Sequence, residues 1–333
     1  SLHDALPIFT KLRHAAQRAG LNLTVKKAAE FVHGEGSAQI FAPASKSDGK
    51  VTSPELNARW QADLIDYKSK TPGLNDGNRL VLVCVDVFSR FLWAEPLQTK
   101  EPEAVAAAFQ KIQRAARGRI TKKTGTFPTD LSTDSGAEFK GVFSEMLEKQ
   151  GIVQQFKEQI NSLSVVDAAI RTLKVMMAKE MADQGSDSWS KALPSAVKAY
   201  NSNSHSHLMN SAPEDVTGAP VLQYELEKQS GYDEAHNAAV NDKRVAKLRH
   251  DDAFRTLMPK STWSRSGMPK WSEKVHNFSH IYGADVVAED GTAVPVRNAL
   301  AVPLGSKDVK VPRELKPGRP IRDEGAKAAL RPF

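Results

Sequence analysis

The sequence predicts an α/β fold: a five-stranded mixed sheet with flanking helices, preceded by a small helical region and followed by a small β-domain. Three observations point there. Residues 60–97 hold three strand-like segments joined by short connections, which suits an antiparallel meander. From residue 102 onward strands alternate with helices long enough to serve as parallel crossovers. RLVLVCVDVF (79–88) is apolar at nearly every position, the mark of a central strand covered on both faces.

Residues 9–34 read as two short helices, with Gly20 as a stop and Thr24 as an N-cap. Residues 35–57 are rich in Gly, Ser, Pro and Lys and read as a linker. WQADLIDY (60–67) alternates as a strand with Asp63 in its middle. FLWAEPL (91–97) follows RLVLVCVDVF after only Ser89 and Arg90, so the two form a hairpin. Residues 102–117 place Val105, Phe109, Ile112 and Ala116 on one helical face. PTDLSTD (128–134) is a short strand, 138–150 a helix ending at Gly151, and IVQQFK (152–157) a strand. Helices are expected over 164–184 and 188–201. The α/β core thus spans 58–220. Residues 221–254 read as a charged helical connector. KVHNF, ADVVAE and AVPVR, with Asp290-Gly291 as a turn, suggest a small SH3-like β-barrel over 255–303. Residues 304–333 are basic and proline-rich and read as a tail. Residues 1–8, SLHDALPI, match the translation of a common sequencing-adapter oligonucleotide; the natural sequence is expected to begin near Phe9 or later.

Hydrophobic residues make up 40% of the chain and charged ones 26%, an ordinary globular balance. No apolar run approaches the ~20 residues that span a bilayer, so no membrane partner is expected. The lone cysteine, Cys84, excludes an internal disulfide framework and a cysteine-rich zinc site, and it sits in the apolar strand as a core residue. The net charge of +7 is unevenly spread: +3 over residues 1–62, −2 over 63–233 and +6 over 234–333. Basic flanks around a slightly acidic centre suit a protein that meets polyanions outside and cations inside.

Three acids carry the candidate chemistry. Asp63 lies on the first strand, Asp134 at the end of the fourth in LSTDSGAEF, and Asp167 in SVVDAAIRTLK at a helix start. In the proposed topology the first and fourth strands are neighbours, and the helix packs against them. Converging carboxylates do not stay ionised cheaply; Mg²⁺ (or Mn²⁺) relieves the repulsion with hard oxygen ligands and open positions. Two such ions ~3.5–4 Å apart suit in-line phosphodiester displacement. Asp167 has a second reading, because Ser164-x-x-Asp167 also resembles a capping box. Glu158 is the other acid nearby, set early at the end of the fifth strand. Asp66, Asp86 and Glu138 read as turn, strand-edge and helix-start acids.

These segments resemble the catalytic core of retroviral and retrotransposon integrases, with its ribonuclease-H-like sheet. Thr133-Asp134-Ser135-Gly136-Ala137-Glu138-Phe139 is similar to the family's T-D-x-G-x-E-F. VDVFSRFLWA (85–94) resembles its D-x-F-S-R hairpin. Tyr200-Asn201 with His205, followed by SAPEDVTG (211–218), resembles its closing segment. The resemblance covers roughly residues 60–218 in consistent order. It implies an endonuclease and strand-transfer activity on DNA, with Asp63, Asp134 and Asp167 as catalytic and metal ligands for two Mg²⁺ (or Mn²⁺) ions. It also implies DNA ends and target duplex as partners, a homo-oligomer that joins two ends, and a nuclear location.

The sequence departs from the family in two places. The third acid is Asp167 where the family has Glu, with 32 residues between it and Asp134. The zinc-binding N-terminal module is missing its cysteines: His33-Gly-Glu-Gly36 stands where a C-x-x-C would follow, so no zinc is expected and residues 9–34 read as a helical remnant. Arg171 and Lys174, one and two turns after Asp167, share a helical face and are candidate DNA contacts. Lys243, Arg244, Lys247 and Arg249 could track DNA backbone without reading its sequence. Trp60 and Trp93 read as core anchors, and Trp263, Trp271 and His276 as barrel core or DNA-facing surface. The rival expectation is a decayed, DNA-binding descendant of such an enzyme.

Overall fold

The computed structural model describes residues 2–44, 49–67, 72–117, 128–156, 164–258 and 268–312. Glu158, Trp263 and residues 313–333 of the basic segment lie outside them. The chain divides into two compact units, residues 49–237 and residues 1–48 with 238–333.

In the first unit the strands are β1 (Arg59–Asp66), β2 (Leu80–Asp86), β3 (Leu92–Leu97), β4 (Asp130–Thr133) and β5 (Val153–Phe156). They form one sheet in the order β3-β2-β1-β4-β5. β1 pairs antiparallel with β2, from Trp60↔Asp86 to Asp66↔Leu80, and β2 antiparallel with β3. β4 runs parallel to β1, with Gln61↔Ser132, and β5 parallel to β4. The meander-then-crossover order predicted from the sequence is the one observed.

The alternation along β2 explains its unbroken apolar run. Leu82 and Cys84 enter a core with Trp60, Ala62, Phe109, Leu131 and Phe143. That core is roofed by α4 (Pro102–Ala116) and α5 (Val142–Lys149). Val81, Val83 and Val85 enter the opposite core with Ile65, Val166, Leu173 and Trp189, under α6 (Ser164–Asp183) and α7 (Trp189–Ser202). Trp60 stacks on Trp93 at 4.5 Å and meets Phe109 edge-on at 6.2 Å, pairs each worth about 0.5–1.5 kcal/mol beyond their burial. Cys84 is fully buried, and burial pushes its thiol pKa up.

The second unit holds α1 (Leu2–Arg18), α2 (Val25–Gly34) and α3 (Gly36–Ile40). Thr24 caps α2 as predicted, its side chain accepting from Lys27 N at 3.2 Å. Five strands follow: β6 (Ala253–Thr256), β7 (His276–Tyr282), β8 (Asp285–Ala288), β9 (Ala293–Pro295) and β10 (Ala299–Val302). Their order is β10-β6-β7-β8-β9. The expected SH3-like barrel is not confirmed: among the described residues β9 and β10 lie at opposite edges and the sheet is open. β9 is only three residues long and ends at Pro295, which has no N–H for a ladder. Over the stretch read as a charged helical connector, 221–254, the helix α8 runs Pro220–Asp251, and residues 253–254 belong to β6.

Two further stretches differ from expectation. Part of the supposed linker, Gly36–Ile40, is a helix whose Gln39 and Ile40 are buried. The first residues of the supposed tail are anchored: Val309 N bonds Glu273 O at 2.9 Å, Val275 N bonds Asp308 Oδ1 at 2.8 Å, and Val311 is buried. The tie between these stretches is Arg255, fully buried on β6. Its Nε donates to Gln39 Oε1 (2.9 Å), Nη1 to the carbonyls of Ser272 (2.9 Å) and Glu273 (2.7 Å), and Nη2 to that of Lys307 (2.7 Å). Trp271 adds Nε1–H to Ala42 O at 2.9 Å. At Gly36 a Cβ would lie 2.5 Å from Val309 Cγ2, so only glycine admits this close approach. No described helix is long and apolar enough to cross a membrane.

Candidate active site

Each of the three aspartates is held by a different element of the first unit. Asp63 lies on β1 opposite Val83. By the two-residue alternation of a strand it shares a face with Gln61 and Ile65, the face on which α6 and α7 pack. Asp134 follows β4 directly, and the parallel pairing Gln61↔Ser132 brings it to the level of Asp63. Asp167 lies in the first turn of α6. All three are partly exposed, open to water and to a ligand.

The joint between β1 and α6 is specific. Gln61 Oε1 accepts the backbone N–H groups of Val165 (3.2 Å) and Val166 (3.1 Å). A helix start leaves such amides without partners. Here a side chain two residues before Asp63 supplies them, which ties the first turn carrying Asp167 to the strand carrying Asp63. Sequence reading missed Gln61. Its signal is a polar residue at a strand position on the face that packs against α6 and α7.

The T-D-x-G-x-E-F segment is built by hydrogen bonds more than by packing. Asp134 Oδ1 accepts Gly136 N–H at 3.0 Å, closing a tight turn. A Cβ at Gly136 would lie 2.6 Å from Glu138 Oε2, so the glycine makes room for the glutamate to fold back. Gln154 on β5 donates to Phe139 O (2.7 Å) and Thr133 Oγ1 (3.3 Å), and Ser144 bridges Gln154 Oε1 (2.6 Å) and Phe139 O (3.0 Å). Phe139 itself is fully buried against Phe143. Glu138 opens a short 3₁₀ turn, Ala137–Phe139, as its sequence position suggested.

The other motif residues organise backbone. Asp86 is fully buried and accepts from the amides of Asn57, Phe88 and Ser89 and from the Ser89 hydroxyl; burial nonetheless pushes its pKa up. Asn201 pairs with both the N–H and the C=O of Leu92 at 2.8 Å, acting as a strand neighbour for β3. His205 packs edge-on against Tyr200 at 4.8 Å.

The proposed DNA contacts differ in availability. Arg171, Lys174, Lys243 and Arg249 are exposed, and Arg244 is partly buried. Lys247 is already engaged, with Nζ 3.2 Å from Asp251 and 2.9 Å from His33 Nε2. Trp271 is buried, and His276 is buried against Phe254 with its Nδ1 3.0 Å from Asp290, so both belong to the core of the second unit.

The donor set of Asp63, Asp134 and Asp167 is of the hard carboxylate kind that suits Mg²⁺ or Mn²⁺. The described residues nevertheless hold no group of three or more His, Cys, Asp or Glu placed to bind a metal ion. The three acids lie on β1, directly after β4 and in the first turn of α6.

No family model matches the chain. It is 31% identical over 144 residues to an uncharacterized transposon-derived protein of Caenorhabditis elegans, a match covering 43% of this chain and 47% of the relative. The chain thus spans about half the length of that relative. Among solved structures, a chain of the simian T-cell lymphotropic virus intasome in complex with PP2A regulatory subunit B56 gamma is similar over 92% of this chain and all of its own, with a TM-score of 0.56 and 14% identity. The HTLV-2 integrase catalytic core domain in complex with magnesium covers 48% of this chain at 18% identity, with a TM-score of 0.40. With its five-stranded mixed sheet and flanking helices, the chain has an integrase-like fold and is similar in sequence to a transposon-derived protein.

Proposed function

We propose that this protein is a retrotransposon-type integrase, a polynucleotidyl transferase that trims the 3′ ends of element DNA and joins them to a target duplex. The observation that carries the reading is the placement of Asp63, Asp134 and Asp167 on β1, the end of β4 and the first turn of α6, with Gln61 locking helix to strand. Mg²⁺ or Mn²⁺, bound as two ions by these acids, would supply activation of the attacking oxygen and stabilisation of the leaving one. The chain's own residues position the DNA. Arg171 and Lys174 follow Asp167 on exposed turns of α6 and would take backbone phosphates. Lys243, Arg244 and Arg249 would add affinity without sequence readout. Joining two DNA ends calls for a homo-oligomer, and the substrate calls for a nuclear location.

A second reading is a catalytically decayed, integrase-derived DNA-binding scaffold. Asp167 standing where the family has Glu, and His33-Gly-Glu-Gly36 standing where it has a C-x-x-C, favour it. A strand-joining assay on branched DNA with Mg²⁺ or Mn²⁺ separates the two, with Asp134→Asn as control and Asp167→Ala and Asp167→Glu as tests. Joining by the wild type that is lost in Asp167→Ala supports the enzyme. An inert wild type rescued by Asp167→Glu supports the scaffold.

A further inference from the structure

A second charged group of the first unit lies away from the three aspartates. The turn between β2 and β3 ends at Arg90, whose backbone is left-handed (φ 59°) and whose amide bonds Asp86 O at 2.9 Å. The β1–β2 register puts this turn at the Trp60↔Asp86 end of the sheet, whereas Asp63 pairs with Val83 farther along. The guanidinium of Arg90 makes no hydrogen bond to any described residue, and its Nη1 is sealed from solvent with no partner. A guanidinium carries five N–H donors and accepts nothing. A sealed donor left unpaired is costly, more so when charged.

The two carboxylates within electrostatic reach are already occupied. Asp86 accepts four bonds from Asn57, Phe88 and Ser89. Asp233 holds Lys50 Nζ at 3.0 Å and Gln229 Nε2 at 3.1 Å. Burial lowers the pKa of Arg90 to about 10, which leaves it cationic at neutral pH. Beside it lies a cavity of about 20 Å³, lined by Thr52, Phe88, Arg90, Gln229 and Asp233, with the exposed His207 at its edge. That exceeds the roughly 10–15 Å³ one water needs. The space suits a compact oxyanion and is far too small for a base or a sugar.

We propose that this cavity is a phosphate site, in which Arg90 Nη1 donates to a phosphate oxygen and the His207 ring supplies a second donor from the rim. Lys50 neutralises Asp233, so the local field does not exclude a dianion. The phosphate could be free or part of a DNA backbone; the chemistry of recognition is the same. The site stands whether or not the chain transfers DNA strands.

The test is titration of the full chain with inorganic phosphate at constant ionic strength, followed by calorimetry and by ³¹P line broadening. The wild type is expected to bind saturably, Arg90→Gln at least tenfold more weakly, and His207→Phe several-fold more weakly. Should Arg90→Gln fail to fold, the exposed His207→Phe variant carries the test. Competition with a 5′-hydroxyl duplex distinguishes the sources: displacement of phosphate by the duplex assigns a backbone phosphodiester, and undisturbed phosphate binding assigns the free ion. Absence of saturable binding over chloride, or equal affinity in wild type and both variants, overturns the proposal and leaves the cavity to ordered water.

Discussion

The side-chain oxygen of Gln61 accepts two backbone amides of α6, those of Val165 and Val166, so strand β1 itself caps the helix that carries Asp167. The cap comes from 104 residues away in the chain. Replacing Gln61 by Leu leaves the fully buried Val166 amide without a partner. Each such group costs about 1–3 kcal/mol, so Gln61→Leu is expected to lower unfolding free energy by about 2 kcal/mol in urea denaturation. Gln61→Glu keeps the acceptor and should stay much closer to wild type. A Leu variant as stable as wild type would show that the cap contributes nothing.

Closing the three aspartates around cations would have to be driven by the ions. Mg²⁺ or Mn²⁺ should therefore raise the thermal midpoint of the wild type, as a ligand does that binds only the folded state. Asp63→Asn and Asp134→Asn should abolish that shift, with little effect on the midpoint in chelator, since both residues are partly exposed. A shift that survives in both variants would place the cation elsewhere.

Arg255 is expected to be the most damaging single polar position of the second unit. Arg255→Met removes four hydrogen bonds and takes the donor from Gln39 Oε1 and from the carbonyls of Ser272 and Lys307. A loss on the order of 3 kcal/mol follows for a buried, charge-assisted network. Hydrogen exchange should speed up first at Gly36–Ile40 and around residues 307–309. Unchanged protection there would mean that packing of Trp271 and Ile40 suffices.

Acid should weaken the fold through its partly buried histidines. Burial, helped by the charge of Arg90, lowers the pKa of His205 below its ordinary 6.5 despite the Tyr200 carbonyl. Burial and Lys247 lower that of His33 against the pull of Asp251. A lowered histidine is neutral in the folded state, so its contribution is complete above pH 6.5 and is lost as pH falls through 6.5 toward the folded value. Denaturation between pH 7.5 and 5 should show stability falling with acid, with a shallower slope in His205→Gln. An unchanged slope in that variant would remove His205 from the account.

Much of the first unit could be read directly. The apolar run of β2, the alternation of β1 and the helix periodicity of residues 102–117 report burial on one or two faces, and burial is a local property of the pattern. The aspartates were legible for the same reason, being charges set where the pattern asks for apolar or turn residues. Gln154 and Asn201 were not, because an amide in a strand or helix looks the same whether it faces water or a distant backbone. Lys247 looked like its exposed neighbours and is in fact paired, which only its placement beside Asp251 and His33 shows.

The sequence by itself determined the sheet order and the helices on each face, because short connections and residue periodicity leave few ways to bury that much apolar surface. Only the tertiary structure decided that Gln61 caps α6, that Arg255 gathers Gln39, Ser272, Glu273 and Lys307, that the second sheet stays open, and that Arg90 Nη1 is buried beside a cavity with no partner among the described residues. These features depend on long-range hydrogen bonds, whose partners lie tens to hundreds of residues apart and leave no periodic trace in the chain.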